Sequence, residues 1–246
     1  MADKVRSKYI IDLSNSLAYE VFQDFIYLFF PRPCLACSDA LVKGEETICT
    51  RCLMEMPKSY YHLDRQNPFY QKLRGRISVE RVMALFKFVK QTRIQHLMHA
   101  LKYKNHPEIG VALGRIYGSE LKEAGIQNEI DMIIPVPLHR SKKRSRGFNQ
   151  SERFGYGLSE VLGIPCLDEV LIRTIKTETQ TRKTRLNRWQ NVKEVFQLGN
   201  PEQVRGKRIL MVDDVITTGA TLEACGSVLL ESGCASISIA CIAAAQ

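Results

Sequence analysis

Apolar positions recur along this chain with two different periods, and the way they alternate predicts its architecture. Leu13, Leu17, Val21, Phe25 and Leu28, with Phe22 and Phe29, fall at helical spacing. Residues 12–30 are therefore expected to form an amphipathic helix that ends before Pro31 and packs its apolar stripe on the rest of the chain. A strand is expected at 82–89, helices at 92–102 and 109–124, and a short buried strand at 130–136 that runs into Pro135-Val136-Pro137. A helix over 150–162 stops at Gly163 and Pro165, whereas 174–191 is polar and basic with little apolar periodicity and reads as a mobile loop. A strand at 209–212, a helix at 221–230 closed by Gly233, and a strand at 236–242 complete the pattern. Strands and helices alternating at this spacing imply an α/β fold with a doubly wound, mostly parallel sheet.

The polar stretch 58–76 precedes that pattern, and a boundary is placed within it. Three segments result: an N-terminal amphipathic helix (1–31), a cysteine-bearing lobe with its linker (32–76) and the α/β domain (77–246). The apolar run 25–30 falls far short of the roughly 20 residues a bilayer span requires. No small-residue cleavage site follows it, so neither a membrane span nor a secretory signal is expected, and the cytoplasm is the expected compartment.

Eight cysteines change the picture of the second segment. Cys34, Cys37, Cys49 and Cys52 form C-x2-C-x11-C-x2-C, a spacing at which two CxxC turns present four sulfurs to one point. Structural zinc is the expected occupant, because four thiolates leave no position open for water and a lobe this small needs the metal in place of a core. Iron held by the same ligands and a redox pair are the alternatives. Cys166, Cys225, Cys234 and Cys241 are scattered among apolar residues and are expected to be small buried hydrophobes.

The 45% hydrophobic and 25% charged residues describe an ordinary globular chain, neither disordered nor fibrous. The net charge of +9 is uneven, with thirteen Lys/Arg against five Asp/Glu between Arg140 and Lys193. A basic excess is usually a solvated face, but one so concentrated also suits a polyphosphate ligand or a nucleic-acid backbone.

The most informative string is Ile-Leu-Met-Val-Asp-Asp-Val-Ile-Thr-Thr-Gly-Ala-Thr at 209–221. A buried strand running into Asp213 and Asp214 brings two carboxylates to the sheet's C-terminal edge, where open α/β sheets bind ligands. Thr217, Thr218, Gly219, Ala220 and Thr221 then place hydroxyls and backbone N–H groups at the start of a helix, which suits a phosphate. A plain strand, Asp turn and Thr cap would read similarly. At every position, however, the string resembles the motif by which type I phosphoribosyltransferases bind 5-phosphoribosyl-1-pyrophosphate (PRPP) with Mg²⁺. That resemblance implies that Asp213 and Asp214 bind the ribose 2′- and 3′-hydroxyls and that Thr217 to Thr221 hold the 5′-phosphate. In purine-salvage relatives the position of Thr217 is an Asp that contacts the base, so this departure speaks against a purine acceptor.

Ile134-Pro135-Val136-Pro137 resembles the strand and pyrophosphate loop of glutamine-PRPP amidotransferases. The chain begins Met1-Ala2-Asp3, without the N-terminal cysteine those enzymes use, so glutaminase activity is not expected. A fuller resemblance is to the ComF competence family. The paired CxxC motifs, Leu101-Lys102-Tyr103, Pro135 to Leu138, Arg146 to Gln150, Thr179-Gln180 through Leu186, Arg188 and Asn191, and the PRPP motif follow one another in that family's order. Arg182, Arg185 and Arg188 are the expected catalytic residues, folding over the site to neutralise the leaving pyrophosphate and exclude water. Pro137, Arg144, Arg146, Asn149 and Lys102 are the expected pyrophosphate contacts, Lys102 on family pattern only, with helix capping as the alternative for Asn149. None of His62, His96, His99, His106 and His139 is placed by sequence as a base.

Two functions follow from these readings. The first is a phosphoribosyltransferase linked to DNA uptake, with PRPP and Mg²⁺, structural zinc, an unknown acceptor and the DNA-uptake helicase machinery as a partner. The second is a non-catalytic factor that binds single-stranded DNA through the basic 140–193 surface and the zinc lobe, although few aromatic residues interleave with that basic stretch.

Overall fold

The computed structural model describes residues 21, 25, 29–174 and 195–245. Its strands are β1 (Arg81–Phe88), β2 (Met132–Pro135), β3 (Leu171–Arg173), β4 (Phe196–Leu198), β5 (Arg208–Ile216) and β6 (Ser236–Ala245). The helices described in full are α1 (Thr50–Glu55), α2 (Pro68–Leu73), α3 (Arg93–Tyr103), α4 (Glu108–Glu123), α5 (Arg140–Arg146), α6 (Gln150–Leu162) and α7 (Ala220–Glu231). Strands β1, β6, β5 and β2 lie side by side in that order, and every pairing among them is parallel. β3 and β4 form a separate antiparallel pair.

The alternation of side chains along the strands sorts the core into two layers. Met132 and Ile134 of β2, Ile209 and Met211 of β5, and Ile237 and Ile239 of β6 share one buried cluster with Leu222, Cys225 and Leu229 of α7. On the other face, α6 lies so close that a Cβ on Gly155 would stand 3.3 Å from Val212 Cγ2 and 3.5 Å from Ile133 Cγ2. Helices thus cover both faces, and the sheet is doubly wound, as the alternating pattern implies.

Helix α4 backs α6 at backbone contact. A Cβ on Gly114 would stand 2.3 Å from the carbonyl oxygen of Phe154, and one on Gly157 would stand 2.2 Å from that of Val111. Neither neighbour is a side chain that can swing away, so the helices themselves would have to part. Gly114→Ala should therefore cost about 3 kcal/mol, the upper part of the range for overpacking, measured by chemical denaturation. Gly75→Ala, whose Cβ would meet nothing within 4 Å, should change little.

The chain divides into two compact units, one up to Leu53 and one from Met54 onward. Residues 58–76 fall in the second and are folded. Asn67 caps α2 by accepting from the N–H groups of Phe69 and Tyr70, and Phe69 and Leu73 are buried. In the first unit, Val21, Phe25 and Phe29 are helical as expected, but each is about 60% exposed rather than packed (62%, 60% and 62%). The rest of the expected 12–30 helix before Phe29 lies outside the described residues. No helix among the described residues is long and apolar enough to cross a membrane.

Candidate functional site

Strand β5 does not stop at Val212. It continues to Ile216 because β6 runs alongside as far as Ala245, with Asp213 opposite Cys241 and Ile216 opposite Ala244. Both carboxylates therefore leave a paired strand on alternate sides, and each meets a different element. Asp213 Oδ1 accepts from Ser151 Oγ at 2.8 Å and from the N–H of Asp214 at 2.9 Å. Asp214 Oδ2 faces Lys102 Nζ at 2.8 Å, with side-chain exposures of 17% and 24%.

Burial, and then the charge of Asp214 beside it, push the Asp213 carboxyl up to about 7, against the opposing pull of the Ser151 hydroxyl, the Asp214 N–H and Lys102. Asp213 therefore holds its proton more tightly than a free carboxyl does. A cation beside Asp213, or a ligand hydroxyl that donates to it, would favour its ionised form.

Beyond β5, Thr217 and Thr218 are exposed, and Gly219 turns the chain into α7 with a left-handed φ of 77°. Any side chain at Gly219 would also collide with Leu73, whose Cδ2 would stand 2.7 Å from a Cβ there. Ala220 and Thr221 open the helix, where the first N–H groups have no intrahelical acceptor. Carboxylates, loop hydroxyls and a helix start are therefore consecutive at one strand end, next to the loop after β2, where Val136 N–H donates to Val212 O at 2.9 Å.

The expected pyrophosphate residues divide. Lys102 reaches the site, but as the partner of Asp214. Arg146 stacks over Tyr103, the residue after Lys102, at 5.4 Å, and donates to Gln150 Oε1 at 2.9 Å. Pro137 is half-buried in the loop after β2. Arg144 is exposed on α5 and has no partner among the described residues. Asn149 is buried and caps α6, accepting from Ser151 N–H at 3.2 Å and donating to Val136 O at 3.0 Å. Arg182, Arg185 and Arg188, with the rest of 175–194, lie outside the described residues. The chain on either side of that segment is joined, Thr174 N–H donating to Val195 O at 2.9 Å.

Residues 99–246 match the family model of the phosphoribosyl transferase domain. The DNA utilization protein YhgH of Escherichia coli O157:H7 is 32% identical over 213 residues, which are 85% of this chain and 88% of that protein. Competence protein F of Haemophilus influenzae is 27% identical over 222 residues, 86% of this chain and 96% of its own length. Competence protein ComFC of Bacillus subtilis is 26% identical over 211 residues, 84% and 82% of the two chains. The chain belongs to the ComF family, within the type I phosphoribosyltransferase superfamily.

In this ComF-family chain the cysteine lobe forms a second candidate site. The sulfurs of Cys34, Cys37, Cys49 and Cys52 all lie within 4.8 Å of one another, with Cys34–Cys52 and Cys37–Cys49 at 3.8 Å. A tetrahedron with metal–sulfur bonds of about 2.3 Å has edges of about 3.8 Å, so the four thiols can hold one metal ion. Backbone N–H groups of Ala36 and Cys49 point at Cys34 Sγ from 3.5 and 3.2 Å. Burial raises the Cys34 thiol, but these N–H groups outweigh it and bring the thiol down to about 7. A thiol so placed is already inclined to the thiolate a metal needs.

Two features of the ComF-family site escape sequence reading. Ser151 holds Asp213 across 62 positions of chain and follows Asn149-Gln150 with nothing to distinguish it from a capping serine. Gln150 is buried with Nε2 lacking a partner among the described residues, while its Oε1 receives Arg146.

Proposed function

We propose that this chain binds Mg²⁺–PRPP at the C-terminal edge of β5 and transfers the phosphoribosyl group to an acceptor. The observation that carries this reading is the run from the half-buried, adjacent carboxylates of Asp213 and Asp214 to the left-handed Gly219 at the start of α7, within a domain of the phosphoribosyltransferase family. Asp213 and Asp214 would receive the ribose hydroxyls, and Thr217 to Thr221 the 5′-phosphate. Carboxylate oxygens are also the hard donors that Mg²⁺ takes, and the ion accompanying PRPP would offset the charge of the pyrophosphate. Arg144 and Arg146 of α5 are proposed to contact the pyrophosphate, and Arg182, Arg185 and Arg188 are proposed to close over it.

In the transfer, the C1′–O bond breaks and its electron pair leaves with pyrophosphate. A lone pair of the acceptor forms the new bond at C1′, and the acceptor's proton is released to solvent. No protein nucleophile is required, so catalysis would consist of positioning and electrostatic stabilisation. The lobe is proposed to hold structural zinc through its four cysteines, and the cytoplasm remains the proposed compartment. The relatives' names, DNA utilization protein and Competence protein, support a link to DNA uptake, with the helicase machinery of uptake as a proposed partner.

A second reading, binding of single-stranded DNA, is favoured by one observation. Helix α5 carries Arg140, Lys142, Lys143, Arg144 and Arg146 in seven residues, none of them buried, and Tyr103 under Arg146 is 67% exposed. Cations beside an exposed ring suit a nucleic-acid backbone and a stacked base. Pyrophosphate release in the presence of PRPP, Mg²⁺ and a panel of amine, nucleobase and nucleotide acceptors tests the first reading. Release that needs both PRPP and an acceptor supports it. No release with any acceptor, together with oligonucleotide binding that weakens steeply with salt, favours the second.

A further inference from the structure

The phosphate loop is held from outside by a segment that sequence reading treats as a linker. Lys72 Nζ donates to the carbonyl of Thr217 at 3.0 Å, and Arg76 Nη1 donates to the carbonyl of Thr218 at 3.0 Å. Arg76 also faces Glu223 Oε2 of α7 at 3.4 Å, and Leu73, between the two cations, is fully buried against Gly219. Three side chains of one short segment thus grip three consecutive residues about 145 positions away.

Peptide geometry gives this grip a consequence. The chain contains no cis peptide bonds among the described residues. In a planar trans peptide the C=O of one residue and the N–H of the next point in opposite directions. With the Thr217 and Thr218 carbonyls turned toward Lys72 and Arg76, the N–H groups of Thr218 and Gly219 are turned away from that segment. Neither N–H has a hydrogen-bond partner among the described residues. Successive N–H groups leading into a left-handed residue form a concavity suited to an anion, and a cation on the far side of each peptide group polarises it in the same sense.

We propose that Lys72 and Arg76 are positioning residues for the 5′-phosphate of a phosphoribosyl ligand. By holding the outer carbonyls of the loop they pre-set its N–H groups toward the phosphate, and Leu73 fixes the turn at Gly219 that continues them into α7. This rests on the reading of the site as a PRPP site. It assigns the α2 segment, rather than the motif alone, the task of keeping the loop in its binding shape when no ligand is present.

The test is titration of the full-length, metal-loaded protein with two ligands, PRPP with Mg²⁺ and inorganic pyrophosphate with Mg²⁺. The proteins compared are the wild type, the variant Lys72→Met/Arg76→Met and the charge-retaining variant Lys72→Arg/Arg76→Lys. Both residues are exposed, so Met at either position leaves the buried core unchanged. The double Met variant should bind PRPP about tenfold more weakly, the order expected for charge-assisted hydrogen bonds, while its affinity for pyrophosphate, which has no 5′-phosphate, stays as in the wild type. The charge-retaining variant should recover most of the PRPP affinity. Unchanged PRPP affinity in the double Met variant, or an equal loss for both ligands, overturns the assignment and leaves the PRPP reading intact. A wild type that does not bind PRPP overturns that reading, and this inference with it. Should the double Met variant fold poorly, Lys72→Met alone supplies the same comparison.

Discussion

At about pH 8, Asp213→Asn should melt at a higher temperature than the wild type while binding Mg²⁺–PRPP about a hundredfold more weakly, the order of loss when one charged partner of a buried polar contact is removed. The opposite signs have one cause. In the folded chain, burial and the Asp214 charge raise the Asp213 carboxyl from 3.8 to about 7. An acid raised on folding lends stability that is fully present below its unfolded value, and that stability is lost as pH climbs through the folded value. Above about 7 the folded protein carries an ionised buried carboxylate next to a second one. Asn removes that charge and keeps an Oδ1 able to accept from Ser151 Oγ and Asp214 N–H. The gain should be of the order of 1 kcal/mol, about 2–4 °C in a chain of this size. Melting curves across the pH range check the sign: the advantage of the variant should open between about 4 and 7 and hold above. By the same linkage, wild-type affinity for PRPP should rise with pH through the Asp213 titration. A variant that melts lower than the wild type at alkaline pH would show that the ionised carboxylate stabilises the fold, contrary to its raised pKa.

Removing metal from the cysteine lobe should unfold it while the second unit stays folded. Apart from three of its cysteines, only Ala36 and Ile48 are buried apolar residues among the described residues up to Leu53. Such a lobe has no core to fall back on, and structural zinc sites contribute apparent binding free energies of about 10–16 kcal/mol. A strong chelator, or Cys49→Ser, should abolish hydrogen-exchange protection and open residues 32–53 to protease, with the melting of the second unit displaced little. The division of the chain into two compact units supports that separation. Retained protection after chelation, with no metal found by elemental analysis, would count against a structural metal.

Legibility in the sequence tracks how far each feature depends on local pattern. The strands at 130–136, 209–212 and 236–242 are apolar runs buried on both faces, and they appear as β2, β5 and β6. The four cysteines declare themselves by spacing alone. Helix α5 is missed because it buries nothing, so Arg140 to Arg146 carry no apolar period, and its visible marks are the His139 cap and Gly147 at its end. The extension of β5 through Asp213 to Ile216 is missed because two acids look like a strand end, whereas pairing with the apolar β6 overrides that preference. Asn149 reads from sequence as either a pyrophosphate contact or a helix cap, and only the fold shows its amide tied to Val136. Ser151, Lys72 and Arg76 act across 62 to 145 positions, a separation that no local period records.

Calorimetric titration of the zinc-loaded protein with PRPP, with and without Mg²⁺, decides whether the β5 edge is a PRPP site. Saturable binding that requires Mg²⁺ and disappears in Asp213→Asn/Asp214→Asn is the predicted result. No binding by the wild type, or binding that survives loss of both carboxylates, would contradict it.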